Sequence, residues 1–386
     1  MENLEEKACL CALNRIFGFE PRTGLTLLNH CGSAIEVFRL KEHDLNLLLG
    51  AFSKYRGKVT AKAVEQAEKE LLRLVSQNIR FCGYGESSYP TLLAQCEDSP
   101  IGLYIRSASS VEELWKNETI SIVGTRDISL YGRQWCDKIV TGLSETDRRP
   151  TIVSGLALGT DITAHRCAIE CGLPTNAVMA TGPDSIYPIR HHDFAERMAA
   201  TPGCALISDY PPGTAPLAIH FLRRNRIIAG LSKATILIES KIKGGGMMTC
   251  RLAFSYDRDV FCLPGRIDDI RSQGCNELIR QKIAEPITSI NRLTDSLGMA
   301  RTINNTTGWE SLLSNTYNQR LPQEDLNLMS RILLEIRKNL GISLDELTAR
   351  LFQNRQKISE LVNMLEIDGF RSIDLFQRCS VKVKKM

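Results

Sequence analysis

The strongest constraint in this sequence is a series of short apolar runs that alternate with longer stretches of helical periodicity. The six runs are 120–123, 151–153, 177–180, 205–207, 235–238 and 260–263. Runs that are apolar almost throughout indicate strands buried on both faces of a sheet. When a helix connects each strand to the next, the strands are parallel, and such crossover connections are right-handed. The sequence therefore predicts an α/β fold with a doubly wound, mostly parallel sheet.

Residues 1–80 precede this pattern, and we predict that they form a small bundle of short amphipathic helices. The strongest of these helices is expected at 58–77, where Val64, Leu71 and Val75 recur at helical spacing with charges between them. The change from helical periodicity to alternating strands and helices predicts two domains. We place the helical domain at 1–80 and the sheet domain at 81–295.

The C-terminal part of the chain follows a polar stretch, 296–323, which we interpret as a linker. Residues 324–386 predict three helices, and Ser343 and Glu346 form a capping box at the start of the second. Gly369 lies where the third helix is expected to end, and a strand-like tail follows it. This order predicts a winged helix-turn-helix domain.

Composition excludes several classes of protein. The 13 cysteines include no C-x-x-C pair and do not cluster with histidines, so we expect neither a zinc site nor a disulfide framework. Unpaired thiols suit a reducing compartment, and the sequence has no signal peptide and no apolar run of about 18 residues. We therefore predict a cytoplasmic protein without a membrane partner. Because the net charge is only +4, a polyanion has to be bound by a local basic cluster.

The loops after the first two core strands predict anion binding. Ligands of open α/β sheets bind at the carboxyl ends of the strands, where a following helix N-terminus favours an anion. Asp161 is expected near the N-cap of the second helix, and the second loop matches neither a dinucleotide fingerprint nor a P-loop. For the first loop, a tight turn with a solvated arginine is an equal alternative. The candidate phosphate ligands are Gly124, Arg126, Ser154, Gly155 and Gly159.

An arginine run before an apolar helical stretch is the most informative of the later segments. Forked guanidinium groups match phosphate oxygens, although a solvated charged surface is the alternative. The run contributes Arg223, Arg224, Asn225 and Arg226 as candidate ligands. Other loops add Arg190, Lys243, Gly244, Gly245, Gly246 and Thr249. Phe221 and Tyr187 are candidates for stacking on bases, with core packing as the default interpretation.

Seven motifs, in order, resemble those of the DNA-processing protein A (DprA/Smf) family. They are I-V-G-x-R, S-G-L-A-x-G-x-D-x-x-A-H, D-x-I-Y-P, P-P-G, R-N-R-I-I-A-G-L-S, G-G-G-x-x-T and D-V-F-x-L-P-G. The resemblance covers roughly residues 85–285. It implies a Rossmann-like domain between an N-terminal domain of SAM-like or helix-hairpin-helix type and a C-terminal winged helix.

The resemblance also implies a function. Members of the family bind single-stranded DNA, protect incoming DNA during natural transformation, help to load the RecA recombinase and form homodimers, and no enzymatic step or cofactor is expected. By the same resemblance, a phosphate pocket would be lined by Arg126, the Ser154–Gly155 turn, Arg224, Asn225, Arg226 and the Gly244–Gly246 loop. One departure is Leu222-Arg223, which replaces a step that commonly contains proline.

Two other functions remain open from the sequence. Related Rossmann-like enzymes hydrolyse nucleoside monophosphates, and here Glu239 would be the acid with Arg226 on the phosphate, although the P-G-G-x-G-T-x-x-E order of those enzymes is absent. A regulator acting through the winged helix is the second alternative. Its third helix mixes Lys357 with Glu360 and Glu366, which also suits a packing or protein-interaction module.

Overall fold

The computed structural model describes residues 4–50, 52–300, 313, 316–317, 320–339, 342–368, 371–373 and 378–381. The chain divides into two compact units, Met1–Arg301 and Thr302–Met386. Most of the predicted linker, and Gly369, lie outside the described residues. None of the helices in the described part of the chain is long and apolar enough to cross a membrane.

One sheet runs through the first unit. Its strands are β1 (Ile79–Gly83), β2 (Gly102–Arg106), β3 (Thr119–Val123), β4 (Thr151–Ser154), β5 (Thr175–Val178), β6 (Ala205–Ser208), β7 (Ala234–Leu237), β8 (Asp259–Cys262) and β9 (Glu285–Pro286). Their order is β1-β2-β6-β5-β4-β3-β7-β8-β9. Within the described part of this sheet, only the β1–β2 and β2–β6 pairs are antiparallel. The six predicted core strands and the mostly parallel sheet are thus confirmed.

Helices surround this sheet. They are α1 (Leu4–Phe17), α2 (Pro21–Cys31), α3 (Ala34–Arg39), α4 (Glu42–Leu49), α5 (Ala61–Ser76), α6 (Thr91–Ala94), α7 (Val111–Leu114), α8 (Leu130–Ser144), α9 (Thr160–Glu170), α10 (His192–Ala200), α11 (Ala218–Leu231), α12 (Gly245–Ser255), α13 (Gln273–Arg280) and α14 (Ile290–Ser296). Helices α11 and α12 share one hydrophobic cluster with the sheet, and α8, α9 and α14 share another. Strands β3 to β6 progress in one direction and β7 returns to the other side of β3. Ligands of doubly wound sheets bind at such a reversal.

The N-terminal helices pack on the antiparallel end of the sheet. Helices α1 to α5 share one hydrophobic core with β1 and β2, in which Phe17 and Leu74 join Phe81 and Tyr104. Helix α5 confirms the helix predicted at 58–77, and it begins after Thr60, whose side chain accepts the Ala63 N–H. These helices and the sheet belong to the same compact unit, so a separate SAM-like domain ending near residue 80 stays a prediction.

The second unit combines helices with a small sheet. Its elements are α15 (Gln323–Lys338), α16 (Leu344–Leu351), α17 (Arg355–Ile367), β10 (Ile342–Ser343), β11 (Arg371–Ile373) and β12 (Arg378–Val381). The predicted capping box is confirmed, because Ser343 Oγ accepts the Glu346 N–H at 3.2 Å and the Glu346 carboxylate accepts the Ser343 N–H at 2.9 Å. Antiparallel pairs give the order β10-β12-β11. The winged-helix assignment stays a prediction.

Candidate nucleic-acid interface

The first two loops at the carboxyl edge of the sheet pack tightly against each other. The Thr160 N–H and hydroxyl both donate to Thr125 O, at 3.1 and 3.2 Å. A Cβ on Gly124 would lie 2.4 Å from Thr160 Oγ1. Gly159 has a φ of +73°, and a Cβ there would lie 2.4 Å from Thr125 O. Both glycines are therefore needed for the close approach of the loops.

The backbone amides of the second loop already bind a carboxylate of the protein. The Gly155 and Ala157 N–H groups donate to Asp161 Oδ2 at 3.1 and 3.2 Å. Asp161 lies two residues after Gly159, the N-cap of α9, so the expected position near the cap is confirmed. Burial raises the pKa of Asp161, and the nearby Arg224 opposes that rise. The loop therefore forms an anion-accepting nest, but Asp161 occupies it. The Ser154 hydroxyl is buried and donates to Ile122 O at 2.6 Å.

Arg224 and Arg226 lie inside the protein. Arg224 donates to Gly155 O at 2.8 Å and to Val178 O, and burial lowers its pKa to about 10. Arg226 donates to Asp209 Oδ2 and to Asp98 O, each at 2.5 Å. Asn225, between them, is also buried. These donors are directed at protein acceptors, so a direct role for either arginine in phosphate binding stays a prediction.

Arg223 contacts a different part of the protein from Arg224 and Arg226. It donates to Gly18 O at 2.7 Å, and its guanidinium lies 4.6 Å from the ring centroid of Phe19. The arginine run therefore holds three different contacts instead of forming one cluster at the sheet edge. The spacing of charges along the chain carries no signal of this, because each partner is remote.

The exposed groups at the carboxyl edge form a different cluster. The Arg126 guanidinium lies 5.4 Å from the Phe221 ring centroid. The rings of Phe221 and Tyr187 meet edge to face, with centroids 5.3 Å apart. Arg126 and Tyr187 are exposed, and Phe221 is half-buried. We call these three residues the edge cluster. Exposed rings beside a cation are suited to stacked bases with a neighbouring phosphate.

The glycine-rich loop after β7 is only partly accessible. Lys243 and Gly245 are exposed, as is Arg190 on the loop after β5. A Cβ on Gly244 would lie 2.2 Å from Ser240 Oγ, and one on Gly246 would lie 2.6 Å from the Leu237 side chain. The buried Thr249 hydroxyl donates to Gly245 O at 3.3 Å. Of its candidate residues, this loop therefore presents Lys243 and Gly245 to a ligand, while the others serve its packing.

Glu239 has a structural role that the sequence did not indicate. Its carboxylate accepts the Ser129 N–H at 2.9 Å and the Ser129 hydroxyl at 2.5 Å, at the start of α8. A Cβ on Gly132 would lie 2.6 Å from Glu239 Cδ. Glu239 is only 1% exposed, and Arg226 is bonded elsewhere. Glu239, the acid named in the hydrolase alternative, is therefore not accessible in this geometry. Among the described residues, no three His, Cys, Asp or Glu side chains are grouped as metal ligands.

Comparisons with known proteins give one family. The family profile of DNA recombination-mediator protein A matches residues 80–298. The DNA processing protein DprA of Streptococcus pneumoniae is 37% identical over 204 residues, which are 53% of this chain and 69% of that protein. Protein Smf of Synechocystis sp. is 38% identical over 223 residues, which are 58% of this chain and 55% of that protein. The match therefore spans little more than half of the second relative.

Two solved structures resemble the fold. The X-ray structure of DNA processing protein A from Streptococcus pneumoniae has a TM-score of 0.63 and 29% identity, covering 73% of this chain and 95% of that one. A structure of DNA processing protein A from Helicobacter pylori, which concerns the single-stranded DNA binding mode of that protein, has a TM-score of 0.50 and 28% identity. It covers 57% of this chain and 95% of that one.

Proposed function

Because the chain belongs to the DNA recombination-mediator protein A family of DprA and Smf proteins, we propose that it is a mediator of DNA recombination that binds single-stranded DNA. The observation that carries the proposal is the edge cluster, in which an exposed arginine and two accessible rings lie at the ligand-binding edge of a doubly wound sheet. The single-stranded DNA binding described for the Helicobacter pylori protein supports it.

Binding works by capture and without a chemical step. Phe221 and Tyr187 stack on bases, and such stacking contributes about 1–3 kcal/mol per base. The exposed cations Arg126, Arg190 and Lys243 contact phosphates. The buried Arg224 and Arg226 act as positioning residues, because they fix the loops and the helix that carry the rings. The site needs no cofactor.

The proposed cellular role is based on membership of the family. We propose that the chain protects incoming DNA in natural transformation and helps to load RecA, and that it does so in the cytoplasm as a homodimer. Family membership supports these proposals. The helices of 1–80 are proposed to be the SAM-like domain, and 324–386 the winged helix. In support of the latter assignment, the helices and strands whose bounds are given above for the second unit are three helices and a three-stranded antiparallel sheet.

Fluorescence anisotropy of a labelled poly-dT strand, measured against salt with duplex DNA as competitor, tests the site. We expect Phe221→Leu to weaken single-strand binding by about 1–3 kcal/mol. Arg126→Gln should lower the slope of log affinity against log salt by about 0.7. The matched controls are Phe254→Leu and Arg148→Gln, which change an exposed ring and an exposed cation outside the loops of the carboxyl edge.

Two results would contradict the proposal. One is equal competition by duplex DNA, which would remove the preference for single strands. The other is wild-type affinity in a variant that carries both Phe221→Leu and Arg126→Gln. The controls separate a local effect from a general loss of aromatic surface or charge.

A further inference from the structure

A second basic and aromatic segment lies in the N-terminal helical part. Residues 45–64 contain four basic and no acidic residues, although the net charge of the whole chain is only +4. Lys54, Arg56 and Lys58 are exposed in the turn between α4 and α5. Phe52, in the same turn, is fully exposed. A solvated phenylalanine costs hydrophobic free energy, and its place among cations suggests a ligand that offers both flat apolar faces and negative charge.

This turn packs beside the loop that joins α1 to α2. The ring centroids of Phe17 and Tyr55 are 4.6 Å apart, and Lys54 forms an ion pair with Glu20. An open depression of about 510 Å³ lies between the two segments, with Phe52 and Thr23 in its lining. The basic turn therefore borders a concave surface.

The same loop contacts α11, the helix that carries Phe221 of the edge cluster. Arg223, two residues after Phe221 on α11, donates to Gly18 O and lies over Phe19. The exposed Phe19 ring is also 5.8 Å from the ring of His220. His220 and Arg223 thus join this loop, which borders the basic turn, to the same helix that carries Phe221 of the edge cluster.

We propose that residues 52–58, together with Phe19, form a second subsite for single-stranded nucleic acid, continuous with the edge cluster. The proposal rests on the function proposed above. Lys54, Arg56 and Lys58 contact phosphates, and Phe52 and Phe19 stack on bases. The Lys54–Glu20 pair does not prevent this, because both side chains are exposed and exposed ion pairs contribute little.

The two subsites predict a dependence on strand length. A short strand occupies the edge cluster alone, whereas a longer strand reaches the basic turn as an intramolecular second contact. Only the longer strand therefore gains affinity from the turn. Each phosphate that the turn neutralises also makes the binding of the longer strand more sensitive to salt.

The experiment compares oligo-dT strands of ~6 and ~20 nucleotides; typical single-strand site sizes are ~4–16 nucleotides, so the first is near the lower limit and the second exceeds the upper limit. The test variant is Lys54→Ala, Arg56→Ala, Lys58→Ala in the full chain. The control variant, Lys41→Ala, Lys69→Ala, Arg73→Ala, removes the same charge from exposed positions of the same helical part. For the test variant, we expect unchanged short-strand affinity and a long-strand salt slope that is smaller by about 2. The control should change neither strand.

A gain of affinity gives an independent check. Glu20→Gln removes the carboxylate that pairs with Lys54, so we expect tighter binding of the long strand alone. Unchanged long-strand affinity and salt slope in the test variant would overturn the second subsite. Equal affinity of the wild type for the long and the short strand would also overturn the second subsite, but it would leave the proposed edge cluster unaffected. If the wild type binds neither strand, the proposed function itself fails, and the second subsite fails with it.

Discussion

Replacing Arg226 by methionine tests whether the arginine run is structural. Arg226 donates to Asp209 Oδ2 at 2.5 Å, and the two side chains are 7% and 2% exposed. It also donates to Asp98 O at 2.5 Å. Methionine keeps much of the apolar stem but removes the charge, so Asp209 is left as an unpaired carboxylate in the interior.

The expected cost is large. Removing one partner of a buried ion pair lowers the free energy of unfolding by about 3–5 kcal/mol, because the remaining charge is buried without compensation. Arg226→Met with Asp209→Asn should lose less than the sum of the two single changes, since the second change removes that charge. These differences in the free energy of unfolding are measured by chemical denaturation, monitored with a spectroscopic signal from the first unit. Single-strand affinity is measured separately, under conditions in which each variant is folded.

One pattern would refute the reasoning. If Arg226→Met changes the free energy of unfolding by less than about 1 kcal/mol but abolishes single-strand binding, Arg226 contacts DNA and its ion pair with Asp209 is unimportant. If stability falls and the folded variant still binds, Arg226 is a positioning residue. Affinity alone cannot distinguish these roles, because a partly unfolded variant also binds less DNA.

Three further predictions concern buried groups. Burial lowers the pKa of His165 from 6.5 to about 3. Between these values the unfolded chain binds a proton that the folded chain does not. The free energy of unfolding therefore falls by up to about 1.4 kcal/mol per pH unit as the pH drops below 6.5. The slope should be smaller in His165→Gln, and an equal slope would contradict this cause. Gly155→Ala places a Cβ 2.1 Å from Arg224 Nη1 and should lower the melting temperature, whereas Gly245→Ala meets no atom within 4 Å and should be well tolerated. Glu239→Gln should lower the free energy of unfolding by about 1 kcal/mol through its contacts with Ser129; loss of a nucleotide-hydrolysing activity in this variant would instead support the enzyme alternative.

The sheet could be predicted because its signal is local and repeated. Each core strand is an apolar run of three or four residues, and the structure places every run within two residues of its predicted ends. The carboxyl-edge loops followed from that sheet, since parallel strands bring their ends to one edge. Arg126, Tyr187 and Phe221 could be named singly, but their contact depends on chain segments up to 95 residues apart.

The roles of the arginine run could not be predicted, because charge in a sequence does not show whether a side chain is buried. Arg224 and Arg226 look like surface cations in sequence, yet they lie against carbonyl groups and a carboxylate from remote segments of the chain. The partner of Arg223 is about 200 residues away, at Gly18. Partners at such separations leave no periodic pattern in the sequence.

The protein's own carboxylates occupy several positions where an anion would otherwise be expected. Asp161 accepts the amides of the second loop, Glu239 accepts the N–H at the start of α8, and Asp209 pairs with Arg226. A phosphate would have to displace a buried carboxylate at each of these positions, and that exchange leaves the carboxylate unpaired. In the proposed complex, the strand is therefore held on the outer surface, where the rings of Phe221 and Tyr187 stack on bases. With Arg126, Arg190 and Lys243 as the exposed cations proposed to contact phosphates, the short-strand salt slope should be near −2, at about −0.7 for each phosphate neutralised. A markedly steeper slope for the short strand would show that the buried arginines become accessible when DNA binds.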